Sequence, residues 1–297
     1  MRTMVYLGGI EESLPELKFG TWFATEIGTE ITLLYVEKEP TLFFRKETEI
    51  AFEKLMEWNL DLPAIRVIRM TMRRLQEVGL LKMARGKPKI VHGLKQVNEA
   101  WELHLKSPKG KDIRLKTRQG NSVEQILAEN REHHADLIIV GYVQKRGILP
   151  KILTFVDSSV MVIRNLIDHR YELMIATDGT EVAHKAEYVA IKSAQYFNRK
   201  LTLMSVVNSD EQRRTVDIHF ERMSRIIEKK NVKYSLEIRS GNTVDNIVDA
   251  AGNKKIIFLG DSRRNLLSKY IFGSKTLKIC KKANAPIFIV KKPTQYK

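Results

Sequence analysis

An internal repeat is the feature of this 297-residue sequence that most constrains its fold. Residues 4–9 align with residues 174–179, and the same offset of 170 positions places residues 31–36 on residues 201–206. Two further blocks recur at offsets of 121 and 119 positions: residues 120–126 with 241–247, and residues 136–141 with 255–260. A chain that repeats one plan is expected to form two similar domains. We place them at residues 1–165 and 166–297.

Short apolar runs alternate with longer amphipathic segments in each repeat, which predicts strands alternating with helices. In the second repeat the predicted strands are about 171–177, 201–207, 233–239, 255–260 and 286–291. The predicted helices are about 182–197, 211–230, 243–251 and 274–283. Buried strands joined by helices form a mostly parallel sheet. The sequence therefore predicts an α/β fold of two tandem domains, each a mostly parallel five-stranded sheet flanked by helices.

The first repeat carries an insertion. Val36 and Gly120 are 84 positions apart, whereas the matching Val206 and Gly241 are 35 apart, which leaves 49 extra residues somewhere between about 42 and 106. This insertion is interpreted as largely helical, and it could form a dimer surface or a lid.

Two helices are predicted inside the insertion. Pro63 suits the first turn of one helix, and residues 97–105 are interpreted as a second amphipathic helix. Residues 73–82 also resemble the end of a winged-helix recognition unit. Such strings are common on ordinary helices, so the sequence does not lead us to expect nucleic acid as a partner.

Composition narrows the class of protein. A single cysteine, Cys280, cannot form an internal disulfide or a cysteine metal cluster. No apolar run approaches the roughly 20 residues of a membrane span, and the apolar stretch at residues 1–7 is too short for a signal peptide. We therefore expect a cytoplasmic protein with no membrane partner. The net charge of +16, of which residues 165–297 carry +11, favours anionic partners such as nucleotides, nucleic acid or acidic lipid.

The sharpest functional motif follows the fourth strand of the second repeat. Gly260 permits a close turn at the strand end. Gly273 and Ser274 open the last helix, whose free N–H groups can bind an anion. Ser274 and Thr276 can donate hydroxyl hydrogen bonds, and Lys275 adds positive charge. The simpler alternative is an ordinary helix start that Ser274 caps.

This segment resembles the universal stress protein family. Its ATP-binding members carry a glycine, two residues, a second glycine, nine residues, and then Gly-Ser or Gly-Thr. Gly260 takes the first place, Asp261 and Ser262 follow it, and nine residues separate Arg263 from Gly273. The resemblance implies an adenine-nucleotide α-hydrolase-like fold that binds ATP or AMP, with Mg²⁺ able to accompany ATP.

The resemblance extends to the first two strands of the second repeat. Asp178, which follows Ala176 and Thr177, matches the acidic residue that the family carries after strand one. Val206 matches the strand-two residue whose backbone meets adenine. The resemblance therefore implies that the base lies between these two strands and that the phosphates lie on residues 260–276.

The sequence departs from the family pattern in both repeats. Arg263 replaces the second glycine, so it crowds the phosphates, replaces backbone contacts with bidentate ones, or marks a loop that has lost its ligand. In the first repeat Gly8 stands in the place of Asp178, and no Gly-Ser follows Gly141 at the required distance. We interpret the first domain as degenerate, with a role in packing or dimerisation, and expect one nucleotide in the second.

Three functions remain open. The first is a self-associating, nucleotide-binding regulatory protein of the stress-response type. The second is a dimeric scaffold without nucleotide, whose basic face meets acidic partners or nucleic acid. The third is a slow ATPase, although no Ser-His-Asp spacing or carboxylate pair marks a catalytic residue. His133 and His134 are not expected to bind a metal, because adjacent residues do not share a helix face.

Overall fold

The computed structural model of the chain describes residues 1–8, 15–37, 63–97, 100–142, 147–164, 171–261 and 274–291. Contacts divide the chain into two compact units, Met1–Gly141 and Tyr142–Lys297. Each unit is a mostly parallel sheet with helices packed on it, which confirms the predicted α/β class. The domain boundary placed at residue 165 stays a prediction. Among the described residues, no helix combines the length and the apolar character that crossing a membrane requires.

The first unit has a six-stranded sheet and a separate two-stranded hairpin. Its strands are β1 (Arg2–Leu7), β2 (Glu30–Glu37), β3 (Met83–Ala84), β4 (Lys87–Pro88), β5 (Ile90–Val97), β6 (Ala100–Lys106), β7 (Asp112–Gln119) and β8 (Leu137–Gly141). The sheet order is β8–β1–β2–β7–β6–β5, in which the first four strands are parallel and the last two are antiparallel. Its helices are a π-helical turn (Glu16–Gly20), α1 (Thr21–Glu26), α2 (Pro63–Glu77) and α3 (Ser122–His133).

The second unit has the simpler sheet. Its strands are β9 (Ser159–Ile163), β10 (Glu172–Ala176), β11 (Leu201–Val206), β12 (Tyr234–Arg239), β13 (Lys255–Gly260) and β14 (Ile287–Val290). They lie in the order β12–β11–β10–β13–β14–β9, and all are parallel except β9, which runs antiparallel to β14. Its helices are α4 (Ile148–Phe155), α5 (Glu181–Phe197), α6 (Asp210–Glu228), α7 (Thr243–Ala251) and α8 (Ser274–Lys282). Every strand and helix predicted in the second repeat is present to within two residues.

The repeat in the sequence produces matched local structure. Asn121 caps α3 by accepting hydrogen bonds from the backbone N–H groups of the next turn, at 3.0 and 3.4 Å. Asn242 caps α7 in the same way, at 3.0 and 3.2 Å. Asparagine is among the preferred residues at this position because its side-chain oxygen satisfies N–H groups that the helix cannot. The recurring Gly-Asn-Ser/Thr-Val block is thus a recurring helix start.

The prediction of a second helix in the insertion was wrong. The helix predicted to start at Pro63 is present as α2, but residues 97–105 belong to β5 and β6 rather than to a helix. In β6, Leu103 and Leu105 are buried and lie opposite Leu115 and Ile113 of β7. Alternate residues therefore face the core with period two, and the free edge of β7 provides backbone partners that a helix would leave unpaired. Residues 38–62 of the insertion lie outside the described part of the chain.

A buried ion-pair cluster lies on the other face of β6 and β7. The Nζ atom of Lys116 is 3.1 Å from the Glu102 carboxylate and 2.9 Å from the Glu129 carboxylate, and all three side chains are almost fully buried. Burial raises the pKa of Glu102, but hydrogen bonds from His104 and Lys116 and nearby positive charges lower that pKa below its ordinary value. The cluster therefore places one buried ammonium group between two buried carboxyl groups, and the guanidinium of Arg118 also pairs with Glu129 at 2.8 Å.

Replacing that ammonium group should destabilise the first unit. We expect Lys116→Met to lower the free energy of unfolding by about 3 kcal/mol, because it removes the ammonium group that lies between two buried carboxyl groups. Lys106→Met is the matched control: Lys106 pairs with Asp112 at 2.7 Å, but both side chains are more exposed, so its loss should be below about 1 kcal/mol. Urea denaturation at neutral pH measures both values. Equal losses for the two variants would contradict a special role for the buried cluster.

Candidate functional site

The strand order of the second unit reverses beside β10. Strand β11 lies on one side of β10 and β13 on the other, and both run parallel to it. All three carboxyl ends therefore meet at one edge of the sheet, where loops diverge and leave a crevice. A cavity of about 620 Å³ opens at this edge. Its volume is within the range of small-molecule binding sites.

Most of the site residues predicted from the sequence come together around this cavity. Seven of them line it: Ala176, Thr177, Asp178, Val206, Gly260, Lys275 and Thr276. Ser274 is the first residue of α8, next to the lining residue Lys275. The predicted residues Ser262, Arg263 and Gly273 lie outside the described part of the chain.

The loop after β10 places an exposed carboxylate at the mouth of the cavity. The Oδ1 atom of Asp178 accepts hydrogen bonds from the backbone N–H and the hydroxyl of Thr180, at 3.0 and 2.6 Å. Gly179 follows with a φ of +73°, a conformation that favours glycine. A Cβ atom at this glycine would lie 3.2 Å from the ring of His219. The loop is therefore tightly turned and rests on a histidine of α6.

A buried hydrogen-bond chain supports the same loop from below. The hydroxyl of Thr177 donates to the carboxylate of Glu187 on α5, and it accepts the N–H of Gly179 at 3.1 Å. The Nε2 atom of His219 lies 2.7 Å from the same carboxylate oxygen. Glu187 and His219 are both buried. Because fully connected buried polar networks are rigid, these hydrogen bonds fix the backbone that carries Asp178.

Two groups of side chains have the spacing that a metal ion needs. One is His184, Glu187 and His219, and the other is Glu129, Glu132 and His133; in each, one ligand atom per residue lies within 4.8 Å of the others. Cationic side chains already contact both groups. The guanidinium of Arg222 is 2.8 Å from Nε2 of His184, and Lys116 pairs with Glu129. We therefore assign hydrogen-bonding and ion-pairing roles to these side chains.

The far wall of the cavity is the start of helix α8. Lys275 is exposed there, whereas Thr276 is buried and also lines the cavity. The N-terminus of a helix presents N–H groups without intrahelical partners and the positive end of the helix dipole. Together with the ammonium group of Lys275, this wall is suited to hold an anionic group.

Sequence reasoning missed several polar residues of the cavity. Ser205 of β11 lines it, and its buried hydroxyl has no hydrogen-bond partner among the described residues. Gln212 and Asn208 also line it, and the Gln212 side chain accepts the N–H of Asn208 at 2.8 Å. The only sequence signal for Ser205 is a hydroxyl near the carboxyl end of an otherwise apolar strand. A buried hydroxyl without a partner is uncommon, and a ligand in the cavity can supply that partner.

The corresponding edge of the first unit is filled by the protein itself. Gly141 at the end of β8 matches Gly260 at the end of β13 in the repeat. A Cβ atom at Gly141 would overlap the carboxylate of Glu16, which is buried against it. The carboxyl group of Glu16 therefore fills the space beside Gly141, whereas a cavity lies beside Gly260 in the second unit.

An α/β fold of this doubly wound class, with a ligand-sized cavity at the reversal of strand order, is shared by several protein families. The chain belongs to the universal stress protein family, whose family model matches it twice, over residues 1–162 and 172–291. A universal stress protein of Methanocaldococcus jannaschii is 25% identical over 150 residues, which cover 44% of this chain and 88% of that protein.

Two solved structures resemble this chain in fold over almost its whole length. A universal stress protein of Archaeoglobus fulgidus superposes with a TM-score of 0.64 at 15% identity, covering 98% of this chain and 96% of its own. A functionally unknown protein of Pseudomonas aeruginosa superposes with a TM-score of 0.58 at 13% identity, covering 98% and 92%. At these identities the structural likeness establishes the fold.

Removal of the Thr177 hydroxyl tests the support of the loop. We expect Thr177→Val to lower the free energy of unfolding by about 1–3 kcal/mol, because Glu187 loses a buried donor and Gly179 loses an acceptor. Thr215→Val is the control, since the Thr215 hydroxyl bonds only within an exposed helix turn and should matter by about 0.5 kcal/mol or less. Chemical denaturation measures both. Identical stabilities for the two variants would show that the buried chain does not stabilise the loop.

Proposed function

We propose that the cavity of the second unit binds an adenine nucleotide, ATP or AMP, and that the protein is a stress-response regulatory protein. One observation carries the proposal. The cavity lies where the strand order reverses. On one side is the loop that carries Asp178, which the buried hydrogen bonds of Glu187 hold in place, and on the other is the start of α8 with Lys275. The first wall offers an acceptor for hydroxyl or amino groups, and the second offers donors for phosphate.

The lining residues suggest how the parts of the nucleotide are arranged. The adenine lies at the ends of β10 and β11, near Ala176 and Val206, where apolar side chains line the cavity. The phosphates lie near Gly260, Lys275 and Thr276, beside the start of α8. Mg²⁺ carried with ATP would offset part of the triphosphate charge. The buried hydroxyl of Ser205 gains a polar partner in this arrangement.

The site in the second unit is proposed to be the one nucleotide site of the chain. In the first unit Gly8 replaces the acidic residue of the loop, and the Glu16 carboxylate lies against Gly141. Both differences disfavour a nucleotide there. We assign the first domain to packing and to self-association, and we place the protein in the cytoplasm.

Calorimetric titration with ATP and with AMP tests the stoichiometry. We expect one nucleotide per chain, because among the described residues the cavity beside a helix start lies in the second unit, whereas Glu16 lies against Gly141 in the first. Nucleotide released from freshly purified, denatured protein gives an independent measurement. Two equivalent sites per chain would contradict the asymmetry between the repeats. Absence of any binding would favour a dimeric scaffold that has lost its ligand.

The position of the phosphates can be tested on α8. We expect Lys275→Met to weaken ATP binding by about tenfold, the effect of losing roughly 1.4 kcal/mol of charge-assisted bonding. Lys278→Met is the matched control, because Lys278 is exposed on the same helix and is absent from the described lining of the cavity. Fluorescence competition with a labelled nucleotide measures both affinities. Equal affinities for the two variants would place the phosphates elsewhere.

A further inference from the structure

The positive charge of the first half of the chain is concentrated in the insertion. Residues 63–97 contain nine Lys or Arg residues and one Glu, a net charge of +8, which is half of the +16 of the whole chain. The remainder of residues 1–164 has a net charge of −3. The second repeat lacks this insertion, so its charge is an addition to the common fold.

Helix α2 presents this charge on one face. Its apolar side packs on β6 and β7, where Val67, Ile68 and Leu75 are buried. The exposed positions include Arg66 and Arg73. These two are seven residues apart, so they lie on the same side of the helix, about 10 Å from each other along its axis. Neither forms an ion pair with another described residue.

The hairpin that follows the helix adds a second basic element. Strands β3 and β4 pair antiparallel around a turn in which Arg85 and Gly86 have φ values of +52° and +77°. Lys82, Lys87 and Lys89 are exposed on it. Backbone hydrogen bonds join the N–H of Lys82 to β6 at 2.7 Å and the N–H of Lys89 to Lys82 at 2.8 Å. The hairpin is therefore anchored to the sheet that α2 covers.

We propose that helix α2 and the β3–β4 hairpin together bind the phosphate backbone of double-stranded DNA. Both elements lie on the protein surface and both are basic. Neither is part of the described lining of the cavity in the second unit. A DNA duplex carries about one negative charge per 1.7 Å of its axis, so it can meet a helix and a hairpin at once. Arginine on the helix is well suited to phosphate, because its planar guanidinium bonds phosphate in a bidentate manner.

Strings such as residues 73–82 are common on ordinary helices, so the sequence alone does not predict a nucleic-acid partner. The structure adds which side chains face outward. The apolar residues of α2 are buried on the sheet, whereas Arg66, Arg69 and Arg73 are exposed. This separation also argues against an anionic membrane surface. A membrane-binding amphipathic helix inserts its apolar face into the lipid, and that face of α2 is already covered.

Fluorescence anisotropy with a labelled random-sequence duplex of about 30 base pairs tests the proposal at several salt concentrations. We expect a Kd of about 1–100 μM near physiological salt, falling steeply at lower salt, as for non-specific binding. Two variants remove two charges each: Arg66→Gln/Arg73→Gln on the helix and Lys87→Gln/Lys89→Gln on the hairpin. Each should weaken binding by at least about fivefold and reduce the slope of log affinity against log salt by about 1.8.

A charge-matched variant distinguishes a site from general attraction. Arg214→Gln/Lys230→Gln removes two exposed charges from the second unit and should leave DNA affinity within about twofold. Circular dichroism controls for folding, which glutamine should preserve because its helix propensity is close to that of arginine. Equal weakening by the control would overturn the proposal. So would tighter binding to vesicles containing phosphatidylserine or to duplex RNA than to DNA, or no binding to DNA at low salt.

Discussion

Parallel pairing of the strands is the constraint on which both units depend. Parallel neighbours cannot be joined by a tight turn, so each pair needs a crossover, most of which are helical here. These helices cover both faces of the sheet, and the central strands are consequently buried along almost their whole length; Ile175 and Phe258 are fully buried. In each unit the same constraint places the carboxyl ends of the parallel strands at one edge of the sheet. The position of the cavity follows from the topology, before any side chain of the site is considered.

The two units differ in what lies at the carboxyl ends of the matching strands β13 and β8. In the second unit the strand end at Gly260 faces a cavity whose far wall is the start of a helix. In the first unit the equivalent Gly141 is covered by the carboxylate of Glu16. A carboxylate and a phosphate both carry negative charge, so they exclude each other from one small space. Glycine at both strand ends thus leaves space beside the backbone, which a cavity occupies in the second unit and the Glu16 side chain occupies in the first.

Sequence periodicity predicted elements better than it predicted contacts. The strands and helices of the second repeat were within two residues of their observed ends, because apolar runs and Asn-capped helix starts are local signals. Residues 97–105 were assigned to a helix incorrectly, because whether Leu103 and Leu105 face a core depends on the free edge of β7. Of the site, residues next to strand ends could be predicted from the family pattern. The support that Glu187 and His219 give each other could not, because 32 positions separate them in the chain.

Net charge also gave incomplete guidance, because the excess charge and the cavity are in different places. Residues 165–297 carry a net charge of +11, yet the described lining of the cavity contains one cation, Lys275, and two anions, Asp178 and Glu211. Binding of the proposed nucleotide would therefore depend on shape, hydrogen bonds and the helix dipole, which act at short range, rather than on net charge. The surface of α2 and its hairpin is the opposite case. It offers many exposed cations and no described cavity, so its affinity for an anion depends on summed charge and is screened by salt. The two proposed sites are therefore expected to differ in how strongly salt weakens them, the surface of α2 and its hairpin more than the cavity.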